Sequence, residues 1–423
     1  MKIDNKKGIL KIMKTYLLFF LLTTLTMVVP VSAKNYITSE QLPEWFNKSL
    51  SKEAKDLPQT RISLPAFPLN AIGVGTWSGA QSVEDYWYFT VDIGSETPVE
   101  CWAFKDYDGL ANSLINMMKF SITNISTTLN KAVESQYNFS LDISTLGSTP
   151  VFSYNILYNL GDSDERVAGL IKGMSAESAN GLQVCLHNEI GYRDTFKNVF
   201  NSFVNAVDKT AHVQPFFFAI NGMTMQGELV GIVSEKFSKD ADGDVEIVET
   251  TSLILPVDAN TVSSTDSVVR SWGHSDGTLI NSYAYTVENG ELSSSIGVSR
   301  PEEKWVIDGE IQGKSVSSEL LYDGVFISNF GTYLETQKLA NSDNDSTRYN
   351  TWSVDADPTQ PTSTVMYKKG QKNGLLELLA EIEGFKVEYT VDEDFIMQEA
   401  QVNMGPIEFD IIPMYVSGKP TNL

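Results

Sequence analysis

The chain has 423 residues, with 31 Lys and Arg against 54 Asp and Glu and a net charge of −23 at neutral pH. So negative a surface repels phosphate backbones and anionic headgroups, which argues against nucleic acid as a partner and favours solubility, cations or basic partners. The three histidines (His187, His212, His274) and two cysteines show no zinc-site spacing.

The first 33 residues read as a targeting segment. Lys2, Lys6, Lys7, Lys11 and Lys14 give a positive start. An apolar run follows from Tyr16 through Val31, and Val31-Ser32-Ala33 supplies the small residues of a cleavage site before Lys34. These are the three regions of a secretory signal peptide in order. The run is short for a span and carries Pro30, so a membrane anchor is the weaker reading. An exported protein is expected, periplasmic or extracellular, with no span after cleavage. The mature chain would carry a charge of about −27 over about 390 residues, enough for two or three domains.

Residues 34–67 are expected to hold a short helix, with Leu42, Trp45, Phe46 and Leu50 at helical spacing, and then a linker broken by Pro58 and Pro65. Beyond residue 68 the chain reads as strands joined by tight turns at Asn180-Gly181, Asn221-Gly222, Asp242-Gly243, Asn289-Gly290 and Asp308-Gly309. Three amphipathic helices interrupt the strands. Leu114, Met118 and Ile122 mark the first, from about Leu110 to Val133. Phe196, Val199, Phe200 and Phe203 mark the second, from about Asp194 to Val207. Leu375, Leu378, Leu379 and Ile382 mark a third, from Gly374 to Ile382. Each has one apolar face, so each should cover a sheet. The expected fold class is α+β: mostly antiparallel β-sheet with three amphipathic helices packed on sheet faces.

Gly75-Thr76-Trp77 echoes Gly331-Thr332-Tyr333, and Val91-Asp92 matches Val354-Asp355 at the same offset by which Phe104-Lys105 matches Tyr367-Lys368. These matches suggest an internal β-β-α-β-β repeat over 68–160, 161–240 and 325–418. The chain then divides into a signal peptide (1–33), helix and linker (34–67), an α+β region (68–240), a β-only segment (241–324) and a C-terminal α+β unit (325–423).

Catalytic signatures are sparse. There is no G-x-S-x-G elbow, P-loop or dinucleotide fingerprint. Ser49-Leu50-Ser51-Lys52 has S-x-x-K spacing and little else. His187 near Glu189, and His274 between Gly273 and Gly277, are the histidines a triad could use. Asp240, Asp242 and Asp244 stand where a calcium loop begins. Val245 then replaces the turn glycine and Thr251 the closing Glu, so a plain hairpin is the better reading. No cofactor is expected, calcium being the one ion the pattern would admit.

In the strand Tyr86-Trp87-Tyr88-Phe89, alternate aromatic side chains face opposite ways. With Trp77 and Trp102 expected on neighbouring strands, Trp77, Tyr86, Tyr88 and Trp102 could form a platform for a sugar ring or lipid chain. Burial of these strands on both faces is the alternative. Cys101 and Cys185, the only cysteines, are expected to pair after export.

The functional expectation is a non-catalytic exported protein that binds an apolar or glycan ligand or another exported protein. The alternative is a secreted hydrolase or lyase acting on an extracellular polymer through paired carboxylates.

Overall fold

A computed structural model describes residues 42–64, 69–83, 86–104, 110–147, 149–162, 166–178, 181–206, 215–256, 262–354, 356–383, 385–404 and 407–421. The signal-peptide reading, Asn180 and His212 lie outside these residues.

The chain opens with α1 (Glu44–Leu50) and the hairpin of β1 (Gln59–Leu64) and β2 (Leu69–Val74), so a strand pair occupies part of the expected linker. Next come β3 (Thr76–Trp77), β4 (Gln81–Val83), β5 (Tyr86–Asp92), β6 (Val99–Phe104), α2 (Leu110–Leu129), β7 (Val133–Leu146), β8 (Thr149–Leu160), β9 (Val167–Ser178), β10 (Gly181–Asn188) and α3 (Arg193–Ala206). These strands form an antiparallel sheet in the order β3-β5-β6-β10-β9-β8-β7, with β4 also on β5.

The two helices lie on opposite faces of this sheet. Phe196, Val199, Phe200, Phe203 and Val204 follow the i, i+3, i+4 spacing of one helix face. They bury α3 against Phe89, Val99, Cys101 and Cys185. On the other face Leu114, Ile115, Met118 and Ile122 of α2 pack on Phe152, Tyr154, Ile156, Val184 and Leu186.

The second sheet has fourteen strands. Eight run in sequence: β11 (Phe217–Met225), β12 (Glu228–Lys239), β13 (Val245–Pro256), β14 (Val262–Gly273), β15 (Leu279–Glu288), β16 (Glu291–Ser299), β17 (Val306–Ile311) and β18 (Lys314–Glu319). After α4 (Asn329–Ala340) come β19 (Ser346–Thr351), β20 (Thr362–Lys372), β21 (Leu375–Ile382), β22 (Phe385–Val391), β23 (Met397–Met404) and β24 (Ile407–Gly418). β24 pairs with β11, which joins the two runs into one sheet.

The sheet curls. Leu279 N–H donates to the Phe326 carbonyl and Ile327 N–H to the Asn350 carbonyl, both at 2.8 Å, so a short segment ties β15 to β19. Trp352, just past β19, shares a core with Ile296, Trp305 and Phe326. The concave side holds α4, with Phe330 against Phe217 and Phe237 at one end and Leu339 against Met366 and Leu378 at the other. On the convex side, Phe218, Ile220, Ile232 and Ile254 meet α2, which is therefore sandwiched between the two sheets.

Several expectations need correction. The third expected helix is strand β21, because Asn373 and Gly374 both take positive φ (55° and 85°) and form the tight turn between β20 and β21. Leu378 and Leu379 are both buried, one on each face, which is how a strand came to mimic helical spacing. Residues 329–340, where the sequence suggested no helix, form α4. Its Ser328 N-cap accepts from Gly331 N–H at 3.1 Å, and the curled sheet surrounds it, so it carries no single apolar stripe.

The repeat does not extend to secondary structure: Thr76 and Trp77 are strand where Thr332 and Tyr333 are helix. Asn221-Gly222 and Asp308-Gly309 lie inside β11 and β17. The turns fall later, at Gln226-Gly227 and Gln312-Gly313, where both residues again have positive φ. Asp242-Gly243 and Asn289-Gly290 do sit at turns.

Candidate functional site

The cleft lies at the N-terminal end of α3. Its floor is the α3-facing side of β7, β8 and β9, which presents Ser140, Asp142, Ser144, Ser153, Asn155, Lys172 and Met174. Its walls are the first turn of α3, with Arg193, Asp194, Phe196 and Lys197, and the chain after α1, with Leu50, Ser51 and Glu53. The volume is about 510 Å³.

Strand register explains the polar floor. Ser140 opposes Asn155, Asn155 opposes Lys172, and Lys172 opposes His187. One polar row thus runs from the sheet edge into the core. Asn155 donates to Ser140 Oγ at 2.6 Å. Lys172 is 1 % exposed, and its Nζ donates to the carbonyls of Glu189 and Gly191, the latter at 2.8 Å. Burial lowers its pKa to about 7 although Glu189 and Glu53 pull the other way.

Glu53 closes the helix end. Its carboxylate accepts from Asp194 N–H at 3.0 Å, from Thr195 N–H at 2.8 Å and from the Thr195 hydroxyl at 2.5 Å. Burial opposes its charge, but these donors outweigh burial and hold its pKa below the ordinary glutamate value. The wall after α1 is further fixed by Ala54 N–H to Thr195 Oγ1 at 3.1 Å, and Lys52 pairs with Glu189 at 3.4 Å.

His187 stands at the inner end of the row, 1 % exposed and stacked on Phe196 with ring centroids 6.1 Å apart. Neither ring nitrogen has a well-formed hydrogen bond. Burial first, and then the Lys172 charge, push its pKa down to about 3, against a smaller pull from the Thr97 backbone. The unfolded chain takes up this proton below about pH 6.5, whereas the folded chain refuses it until about pH 3. Stability is therefore present above that window and is lost on acidification through it. Asp266, raised by burial to about 7, acts in the opposite sense, but equally in parent and variant. His187→Leu should flatten the acid limb, so that the unfolding free energies from urea titrations at pH 7 and pH 4.5 differ less than in the parent by up to about 2 kcal/mol. An unchanged acid limb would show that His187 does not carry this sensitivity.

The aromatic platform divides. Trp77 pairs with Val91 across β3 and β5, faces α3 and packs on Phe89 and Phe203. It is separated from Trp102 by β5, so the two are not on neighbouring strands. Tyr86, Tyr88, Trp102 and Phe104 lie together on the opposite face in the pairs Tyr86–Phe104 and Tyr88–Trp102, each with centroids 5.3 Å apart. All four are half-buried, and the Tyr88 hydroxyl donates to Glu100 at 2.6 Å.

Asp240, Asp242 and Asp244 form the hairpin between β12 and β13. Asp240 Oδ1 accepts from the backbone N–H groups of Asp242 and Asp244, both at 2.9 Å, and Asp244 contacts His274 at 3.0 Å. Among the described residues no group of three or more His, Cys, Asp or Glu side chains is placed to hold a metal ion. Ser49 and Lys52 are engaged separately, the hydroxyl donating to the Trp45 carbonyl at 2.9 Å.

A carboxylate pair does exist: Glu235 and Glu249 oppose each other on β12 and β13. Asn329 donates to both, at 3.1 and 2.7 Å, and the Tyr333 hydroxyl donates to Glu235. Burial raises the pKa of Glu235. The pair holds α4 in the concave sheet and does not line the cleft.

Sequence reasoning found Cys101 and Cys185, which form a disulfide between opposed positions of β6 and β10. It missed the cleft, whose residues come from five separate elements. Of the lining, Leu50, Ser51 and Phe196 were named from the sequence, none of them as part of a binding site.

The fold is a β-rich α+β architecture of two large antiparallel sheets and a separate two-stranded hairpin, with four α-helices among the described residues. No protein-family model and no curated protein matches the sequence. Among solved structures, the chain is similar to a β-barrel-like protein of a domain of unknown function, DUF1849, from Brucella abortus. The identity is 11%, the TM-score 0.40, and the match covers 48% of this chain and 98% of that chain. No described helix is long and apolar enough to cross a membrane.

Proposed function

We propose that the protein is an exported, non-catalytic binding protein whose cleft takes a sugar-like ligand. The lining of the cleft carries this reading. Ser51, Ser140, Ser144, Ser153 and Asn155 offer donors and acceptors in number, and Phe196, Leu50 and Met174 offer apolar surface for the C–H face of a ring. The volume is in the range of small-molecule sites. Glycoside hydrolysis would need a carboxylic acid of raised pKa. Glu53 is the carboxylate best fixed in the cleft, and its pKa is lowered.

Titration calorimetry of the exported protein against a panel of mono- and disaccharides tests this, and that protein should begin near Lys34. Saturable binding is expected, weakened about tenfold by Asn155→Ala through loss of a hydrogen-bonding side chain. Tyr88→Ala and Trp102→Ala mark the rival surface for a ring or lipid chain. Loss of binding in these variants instead would move the site to that aromatic face. No saturable response to any sugar would overturn the proposal.

A further inference from the structure

The start of α3 carries two cations against the ordinary physics of helices. Arg193 and Lys197 are four residues apart, so they stand on one face a turn from each other, where like charges repel. Both sit near the N-terminal end, where the helix dipole disfavours cations. Neither forms an ion pair with a described residue. Arg193 is instead held over the Phe139 ring at 5.7 Å. Lys172, a third basic side chain, stands in the floor below with its Nζ held by two carbonyls of the turn that leads into α3. Three of only 31 basic residues in an acidic chain thus line one cleft.

The acidic groups of the cleft do not cancel them in the same way. The Glu53 carboxylate is occupied by the amides and hydroxyl at the start of α3. Asp194 is in the first turn, where the dipole favours it, and Asp142 is exposed on the edge strand β7. Local folding accounts for Glu53 and Asp194; it leaves the cations unexplained.

We infer that the ligand is an acidic sugar, its oxyanion bound by Arg193 and Lys197 at the mouth of the cleft with Lys172 beneath. This rests on the sugar-binding proposal and narrows it. A planar guanidinium can grip a carboxylate or phosphate through two parallel hydrogen bonds, and lysine adds a point charge. Anion binding would relieve the repulsion between Arg193 and Lys197.

The test compares matched probes by calorimetry: glucose, glucuronic acid and glucose 6-phosphate. The acidic probes should bind at least tenfold more tightly than glucose, and the two together report whether carboxylate or phosphate is preferred. Raising the salt concentration should narrow that gap. Arg193→Gln/Lys197→Gln should abolish it, with melting temperature unchanged or raised, since both side chains are exposed. Glucose binding as well as the acidic probes would overturn the inference and leave the sugar-binding proposal standing. A preference that survives the double substitution would also overturn it, since the anion would then be bound elsewhere. No binding by any of the three probes would overturn the inference, and the wider sugar panel then decides whether the sugar-binding proposal stands.

Discussion

Phe200→Asp is expected to destabilise the protein by several kcal/mol, enough to leave much of the chain unfolded at ambient temperature. Phe200 is fully buried, in the middle of the apolar face of α3, among Val199, Phe203 and Val204. A carboxylate there would meet no described cation, and the Phe ring would be lost from a core that also includes Phe89, Trp77 and Cys101. Charge burial and cavity formation act together, and either alone costs a few kcal/mol. Urea denaturation followed by tryptophan fluorescence gives the comparison. A variant with the parent's midpoint would show that this face of α3 is not packed on the sheet.

Removing the disulfide should have the second largest effect. Cys101 and Cys185 are 84 residues apart in sequence and both fully buried. Closing a loop of that length restricts the unfolded chain by about 4.5 kcal/mol in the chain-entropy model. The double variant Cys101→Ala/Cys185→Ala keeps small apolar side chains at both positions, so its loss of stability should come mainly from the unfolded state. The expected loss is ~3–4 kcal/mol, reduced because unfolded chains are not random coils. Thiol titration of unreduced, unfolded protein should find no free thiol per chain. Two free thiols, or a double variant as stable as the parent, would contradict the bridge.

Much of the local structure was legible in the sequence. Phe196, Val199, Phe200 and Phe203 announce α3, and Leu114, Met118 and Ile122 announce α2, because each helix buries one face against one sheet. α4 was hidden for the opposite reason: Phe330 and Leu339 serve different cores within a curled sheet, so no stripe forms. The alternation of Tyr86 to Phe89 was readable, with Phe89 buried and Tyr88 half-exposed. The position of Trp77 was not, because it depends on β5 lying between β3 and β6. The cleft was least legible. Lys172 reads as an ordinary strand lysine until its register with Asn155 and His187 is known, and that register is a property of three strands together.

The pairing of β11 with β24 bears on the timing of assembly. Among the described strands, this is the one ladder that joins the eight-strand run directly to the six-strand run of the long sheet, and nearly two hundred residues separate the two strands in the chain. A chain delivered N-terminus first exposes the unpaired edge of β11 until β24 emerges. That edge includes Phe217, Phe218 and Ile220, an apolar template for association with other chains. β24 therefore works as a fastener that arrives well after the strand it closes on, and the interval between the two leaves that edge open to misassembly.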